Sequence, residues 1–215
     1  MKFINCHTHT FSNAASVLEI VNQYPSTFNA LIPYFSVGIH PWKISEYELK
    51  NDLQILEQKI QLSNCLALGE CGLDKRIETA IDLQLYVFEK QIKLAQKYNK
   101  PLLIHCVAAF QELIAILHQN KISVPVVIHG FSKNEQIAKQ LVTNGFYLSF
   151  GKYLLQNLDL QDVFKSIPND KFFLETDSSS YKIQDVYKVA TQIKSVDLPT
   201  LQNQIKINFK TIFKI

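Results

Sequence analysis

The feature that most constrains the fold is a repeated alternation of short apolar, β-branched or aromatic runs with longer stretches of helical spacing. Such alternation marks βα units, whose crossover helices cover a mostly parallel sheet. The runs place strands near Phe3–Thr8, Tyr34–His40, Cys65–Cys71, Pro101–Cys106, Val124–Gly130, Phe146–Phe150 and Phe172–Thr176. Helices are expected over Glu46–Leu62, Thr79–Tyr98, Ala108–Gln119, Asn134–Asn144 and Leu160–Ile167. In the second of these, Ile81, Leu85, Phe88, Ile92 and Ala95 recur at intervals of three and four, as one buried helix face requires. Asn144-Gly145 closes the fourth as a glycine cap would. The expected class is α/β, a TIM-type (β/α) barrel. The weakly patterned stretch is Ser12–Pro33, read as a helix Ala15–Tyr24, then Pro25-Ser26 and a short apolar piece, Phe28–Leu31. An eighth strand lies there or is lost, so the sequence leaves the barrel with eight strands or reduced to seven.

A chain of 215 residues, 47% hydrophobic and 19% charged, is expected to form a single domain over 1–215 with a large core. Its net charge of +3 is too small to hold nucleic acid non-specifically, so any such substrate is bound locally. No run approaches the ~20 apolar residues that span a bilayer, and the start MKFINCHTHT has no apolar signal core. A cytoplasmic monomer without membrane contact is the expectation. Cys6, Cys65, Cys71 and Cys106 sit in or beside apolar runs without a CxxC pair, and read as reduced core thiols.

The polar residues fall at one kind of place. His7 and His9 close the first strand, Glu70 the third, His105 the fourth, His129 the fifth and Asp177 the last. In a parallel barrel the carboxyl ends of the strands converge on one face, so residues distant in sequence meet there. His7 and His9 are two apart and point to the same side of the strand. Four imidazoles and two carboxylates match Zn²⁺ or Mn²⁺, and the carboxylates leave Mg²⁺ open as well. Six ligands suit two ions better than one, and paired ions activate water and stabilise a leaving oxygen in phosphoester hydrolysis. Glu70 is the candidate for bridging them.

Each residue alone has a plainer reading. A lone His in an apolar strand is commonly a hydrogen-bonded core residue, and Asp177 can simply cap the next helix. The conjunction outweighs these, because burying so many ionisable groups without partners costs several kcal/mol or more. Among lesser candidates, His40 ends a strand and either faces the site or stabilises the turn before Pro41. Glu175 can orient a ligand imidazole or form a salt bridge. Asp74, Phe131 and Ser132 can shape the pocket, and His118 is expected on a solvated helix face.

At these motifs the chain resembles the TatD family of metal-dependent deoxyribonucleases, within the amidohydrolase-like TIM-barrel hydrolases. The matches run in order as His7-Thr8-His9, Val37-Gly38-Ile39-His40-Pro41, Leu68-Gly69-Glu70-Cys71-Gly72-Leu73-Asp74, Pro101 through His105, His129-Gly130-Phe131-Ser132 and Glu175-Thr176-Asp177-Ser178. Asn208-Phe209 and Ile212-Phe213 look like the family's closing helix. The resemblance implies one ion on His7, His9 and Asp177, a second on His105 and His129, and Glu70 between them. It implies that Asp177 orients or deprotonates the attacking water, and that DNA or another phosphodiester is cut from the 3′ end.

The chain departs from the family pattern where substrate is met. An arginine commonly follows the fourth-strand His by two residues; here Val107 stands there. The usual Cys-Phe-Ser-Gly after His129 becomes Gly130-Phe131-Ser132-Lys133, and the segment between His9 and His40 is short. Lys133 can replace an arginine only as a point charge. His40, Phe131 and Lys133 are therefore the substrate-binding candidates. Beside the nuclease stand two other readings, a hydrolase of a small ester, lactone or amide, and a non-catalytic binding module stabilised by metal.

Overall fold

A computed structural model describes residues 2–214, whose element order is β1 (Phe3–Thr8), β2 (Val17–Gln23), β3 (Phe35–Val37), α1 (Leu49–Lys59), β4 (Cys65–Asp74), α2 (Ile81–Lys97), β5 (Leu102–Val107), α3 (Phe110–Gln119), β6 (Val126–Ile128), α4 (Glu135–Thr143), β7 (Tyr147–Phe150), α5 (Lys152–Gln156), α6 (Leu158–Ser166), β8 (Phe172–Leu174), α7 (Ile183–Lys194) and α8 (Leu198–Phe213). The class is the eight-stranded (β/α) barrel. The seven expected strands all form, with ends shifted by a few residues. The eighth is β2, and the helix expected over Ala15–Tyr24 is absent. Val17, Ile20, Val21 and Tyr24 carry helical spacing, but the segment Val17–Gln23 is buried from Glu19 onward and two of its apolar residues are valines. Both favour a pleated, covered strand.

The chain divides into two compact units, one built from the residues up to Val21 together with those from Val127 onward, the other from Asn22–Val126. In the first, β1 pairs with β2, β6 with β7, and β7 with β8, all parallel. Between strands and helices lies an aromatic series in which Phe164 meets Phe150 and Phe172 edge-on, with centroids 4.9 and 4.7 Å apart. Each such ring contributes ~1.5–3 kcal/mol by burial. Tyr187 of α7 ties the helix to β1: its hydroxyl accepts from the Ile4 N–H and donates to the Ile4 carbonyl, each at 3.1 Å. Burial pushes the Tyr187 phenol pKa upward, so it stays a neutral donor. The expected cap after α4 forms, with Gly145 at φ 83°.

In the second unit, β4 pairs in parallel with β3 and β5. Helix α2 buries Gln84, Val87, Phe88, Gln91, Ile92 and Ala95. That face is rotated from the apolar stripe in the sequence, and it carries two glutamines. The Gln91 amide accepts from the Ile39 N–H at 2.8 Å and donates to the Ile39 carbonyl at 3.0 Å. Gln84 does the same to Asp74, at 2.8 and 2.9 Å. Each side chain thus completes the hydrogen bonding of a strand end that β-pairing leaves open. Those two ends carry His40 and Asp74.

Candidate metal site

In the first unit, the end of β1 and the segment after β8 are joined backbone to backbone. The Asp177 N–H donates to the His7 carbonyl at 3.0 Å, and the His9 N–H donates to the Asp177 carbonyl at 3.2 Å. These bonds hold Asp177 at φ 54°, a left-handed conformation that aspartate tolerates better than most residues. The Asp177 Oδ1 thereby lies 3.8 Å from His7 Nε2 and 3.4 Å from His9 Nε2. The His129 ring, just beyond β6, stands 4.3 Å from that of His7. One donor atom from each of His7, His129 and Asp177 lies within 4.8 Å of the other two. His7 is fully buried and His129 nearly so. Two nitrogens and a carboxylate oxygen gathered in a largely buried place form a donor set that fits a divalent ion.

Around this trio stand two further charges. Glu175 is fully buried, accepts from the Gly130 N–H at 2.7 Å and faces His129 Nδ1 at 3.6 Å, beyond hydrogen-bond range but close enough to favour a cation. Lys152, at the start of α5, lies with its ammonium 3.5 Å from Asp177 Oδ2.

The second unit gathers another trio, His40, Glu70 and His105, whose donors lie within 4.8 Å of one another. The Glu70 N–H donates to Asn22 Oδ1 at 2.7 Å, which holds the backbone of β4 at this point. Gly38 lies against the same backbone: a Cβ on it would fall 2.8 Å from the Glu70 carbonyl oxygen. The Trp42 N–H donates to His40 Nδ1 at 3.0 Å, which leaves the imidazole proton on Nε2, 3.1 Å from Glu70 Oε1. His40 in this arrangement is a donor to the carboxylate.

His105 lies between two carboxylates, with Nδ1 3.2 Å from Glu70 Oε1 and Nε2 3.4 Å from Asp74 Oδ2. A carboxylate behind an imidazole fixes the ring's tautomer and leaves its other nitrogen for a ligand. Asp74 is 1% exposed. Burial alone would raise its pKa, but the Arg76 N–H, the Trp42 indole and His105 outweigh that and lower it, so the carboxylate stays charged.

The sequence-derived candidates thus fall into two clusters. His7, His9, His129 and Asp177 gather in one unit, and Glu70 and His105 in the other with His40. Phe131 is 2% exposed with its ring on Phe150, and Lys133 is half-buried in the connection before α4. The four cysteines are buried thiols outside any disulfide. Sequence reasoning missed Asn22, Trp42, Arg76, Gln84, Gln91 and Lys152. Of these, only Trp42 and Arg76 carried a signal, as the sole tryptophan and sole arginine.

A family model described as TatD related DNase matches residues 1–214. An uncharacterized metal-dependent hydrolase of Haemophilus influenzae is 33% identical over 154 residues, and the uncharacterized metal-dependent hydrolase YabD of Bacillus subtilis is 32% identical over 148. Each match covers 67% of this chain and 58% of the relative, so the chain spans little more than half the length of these relatives. The 3'-5' ssDNA/RNA exonuclease TatD of Escherichia fergusonii is 28% identical over 165 residues, 74% of this chain and 61% of that protein. Among solved structures, the TatD homologue YjjV of Escherichia coli superposes with a TM-score of 0.86 at 22% identity, over 99% of this chain and 98% of that one. A TatD family hydrolase of Entamoeba histolytica gives 0.79 at 18%, with the same coverage. These likenesses show the fold. With the family model matched from end to end, the chain belongs to the TatD-related DNase family.

Proposed function

We propose that this chain is a metal-dependent hydrolase of phosphodiester bonds that shortens DNA from the 3′ end with two divalent ions, Mg²⁺, Mn²⁺ or Zn²⁺. The observation that carries the reading is the gathering of imidazole and carboxylate donors in buried to part-buried places at strand ends, His7, His9, His129 and Asp177 in one unit and Glu70 and His105 in the other. In this reading His7, His9 and Asp177 would hold one ion and His105 and His129 the other, with Glu70 the candidate shared ligand. The His7 and His129 rings, with centroids 4.3 Å apart, support both imidazoles as members of one metal centre. When bound, the ions supply the Lewis acidity that makes water a nucleophile at neutral pH.

The protein's own groups do the rest. Asp177 orients the attacking water and takes its proton, and Lys152 lies beside that carboxylate, 3.5 Å from Oδ2. His40 donates to Glu70 and fixes its rotamer. Asp74 sets the His105 ring, with Nδ1 toward Glu70.

The test is cleavage of 3′-labelled single-stranded DNA by the full chain. Activity is expected with Mn²⁺ or Mg²⁺, loss in EDTA, and a fall of about 100-fold or more in Asp177→Asn. Undiminished cleavage in EDTA overturns the reading. Val107, uncharged where a phosphate partner is expected, favours the second reading, a hydrolase of a small ester, lactone or amide. Turnover of such esters without DNA cleavage would establish it.

A further inference from the structure

The only arginine and the only tryptophan of the chain share one anchor. Trp42, in the 3₁₀ turn Pro41–Lys43, donates its indole Nε1–H to Asp74 Oδ2 at 2.9 Å. Arg76 donates its backbone N–H to Asp74 Oδ1 at 2.9 Å, with its Nε 3.8 Å from the same oxygen. Asp74 is buried, whereas Trp42 is 62% exposed and the Arg76 side chain 69% exposed. The indole is further held by its backbone bond to His40 and by the rings of His40 and His105, which meet it at 89° and 74° with centroids 5.2 and 6.1 Å away.

An exposed aromatic ring offers a face on which a planar ligand can stack. Here the indole is exposed yet tethered through its ring nitrogen, so a ligand stacking on it has little side-chain freedom left to freeze. The neighbouring guanidinium is permanently charged and offers a fork of donors that matches phosphate. An aromatic face beside a phosphate partner is the combination that holds a nucleotide of a single strand.

We propose that Trp42 and Arg76 form a nucleotide subsite, the base stacked on the indole and its phosphate paired with the guanidinium. The proposal rests on the phosphodiesterase reading and names its substrate class, a single-stranded nucleic-acid end in preference to a small ester. Asp74 then serves two tasks, holding His105 on one side and seating the subsite on the other.

Because Trp42 is the only tryptophan, its emission reports on the subsite directly. The full chain in Mg²⁺ is titrated with deoxyadenosine 5′-monophosphate, adenosine and ribose 5-phosphate, and DNA cleavage is measured in parallel. Saturable quenching is expected with the nucleotide, weaker binding with adenosine, and no quenching with ribose 5-phosphate. Arg76→Ala is expected to weaken nucleotide binding about tenfold and to leave adenosine binding unchanged. Trp42→Ala is expected to raise the KM for single-stranded DNA about tenfold, the scale of one lost base stack. Emission unmoved by the nucleotide, or quenched equally by ribose 5-phosphate, overturns the subsite even if DNA is cut. Saturable quenching without DNA cleavage supports the subsite and overturns the hydrolytic reading alone.

Discussion

At the scale of single residues, the candidate site is organised by groups that stand behind the imidazoles and carboxylates proposed as ligands. Asp74 is the clearest case, a buried carboxylate against His105 Nε2. Replacing it by asparagine removes the charge and lets the ring turn, so Asp74→Asn is expected to weaken metal binding about 10- to 100-fold. Titration of the metal-free chain with Mn²⁺, followed by mass spectrometry, measures this. An unchanged affinity would show that His105 needs no carboxylate behind it.

The candidate ligands stood out by their conjunction at the ends of apolar strands, since any one of them alone reads as a core or capping residue. Asn22 and His40 are different. Their roles depend on which atom meets which, Oδ1 on the Glu70 N–H and Nε2 on its carboxylate, and no spacing rule encodes that.

At the scale of elements, the largest disagreement between pattern and structure is β2. Its apolar residues fit a helical period and a covered strand equally well, and tertiary packing decided between them. The α2 face shows the converse. Its helix was plain, but Gln84 and Gln91 looked like polar interruptions of a stripe, and they turn out to face inward and hold two strand ends.

Helix α7 provides a test at this scale. Lys194 closes it, half-buried, donating to the carbonyls of Lys165 and Ile167 at 3.2 and 2.5 Å and lying over Phe164 and Phe172. Burial lowers its pKa to about 8. Between pH 8 and the unfolded value near 10.5, the unfolded chain holds more protons, so this residue's contribution to stability rises with pH. Below pH 8 both states are charged and the cost of burial is fully present. The difference in melting temperature between wild type and Lys194→Met should therefore move in favour of wild type from pH 8 to 10.5. A flat difference would contradict the depressed pKa.

At the scale of the whole molecule, the barrel class was legible because strand and helix alternate from β3 to the end and impose one rhythm on the chain. The proposed subsite was not, since exposed side chains such as Trp42 and Arg76 carry no periodic pattern. The chain shows this in one exchange. Val107 stands where the resemblance leads one to expect arginine, yet its Cα partner across β4 and β5 is Asp74, the residue that seats Arg76. No helix among the described residues is long and apolar enough to cross a membrane.

The buried thiols carry one more consequence. Cys6, Cys71 and Cys106 adjoin His7, Glu70 and His105, and burial pushes the pKa values of Cys6 and Cys71 well up. A thiol reagent can reach them only when the strand that carries them comes loose, which makes each cysteine a clock for opening at one ligand-bearing strand. Alkylation followed peptide by peptide should tick more slowly once divalent metal is added, because an ion held only by the folded state suppresses opening. The three clocks would then report, strand by strand, where the metal takes hold.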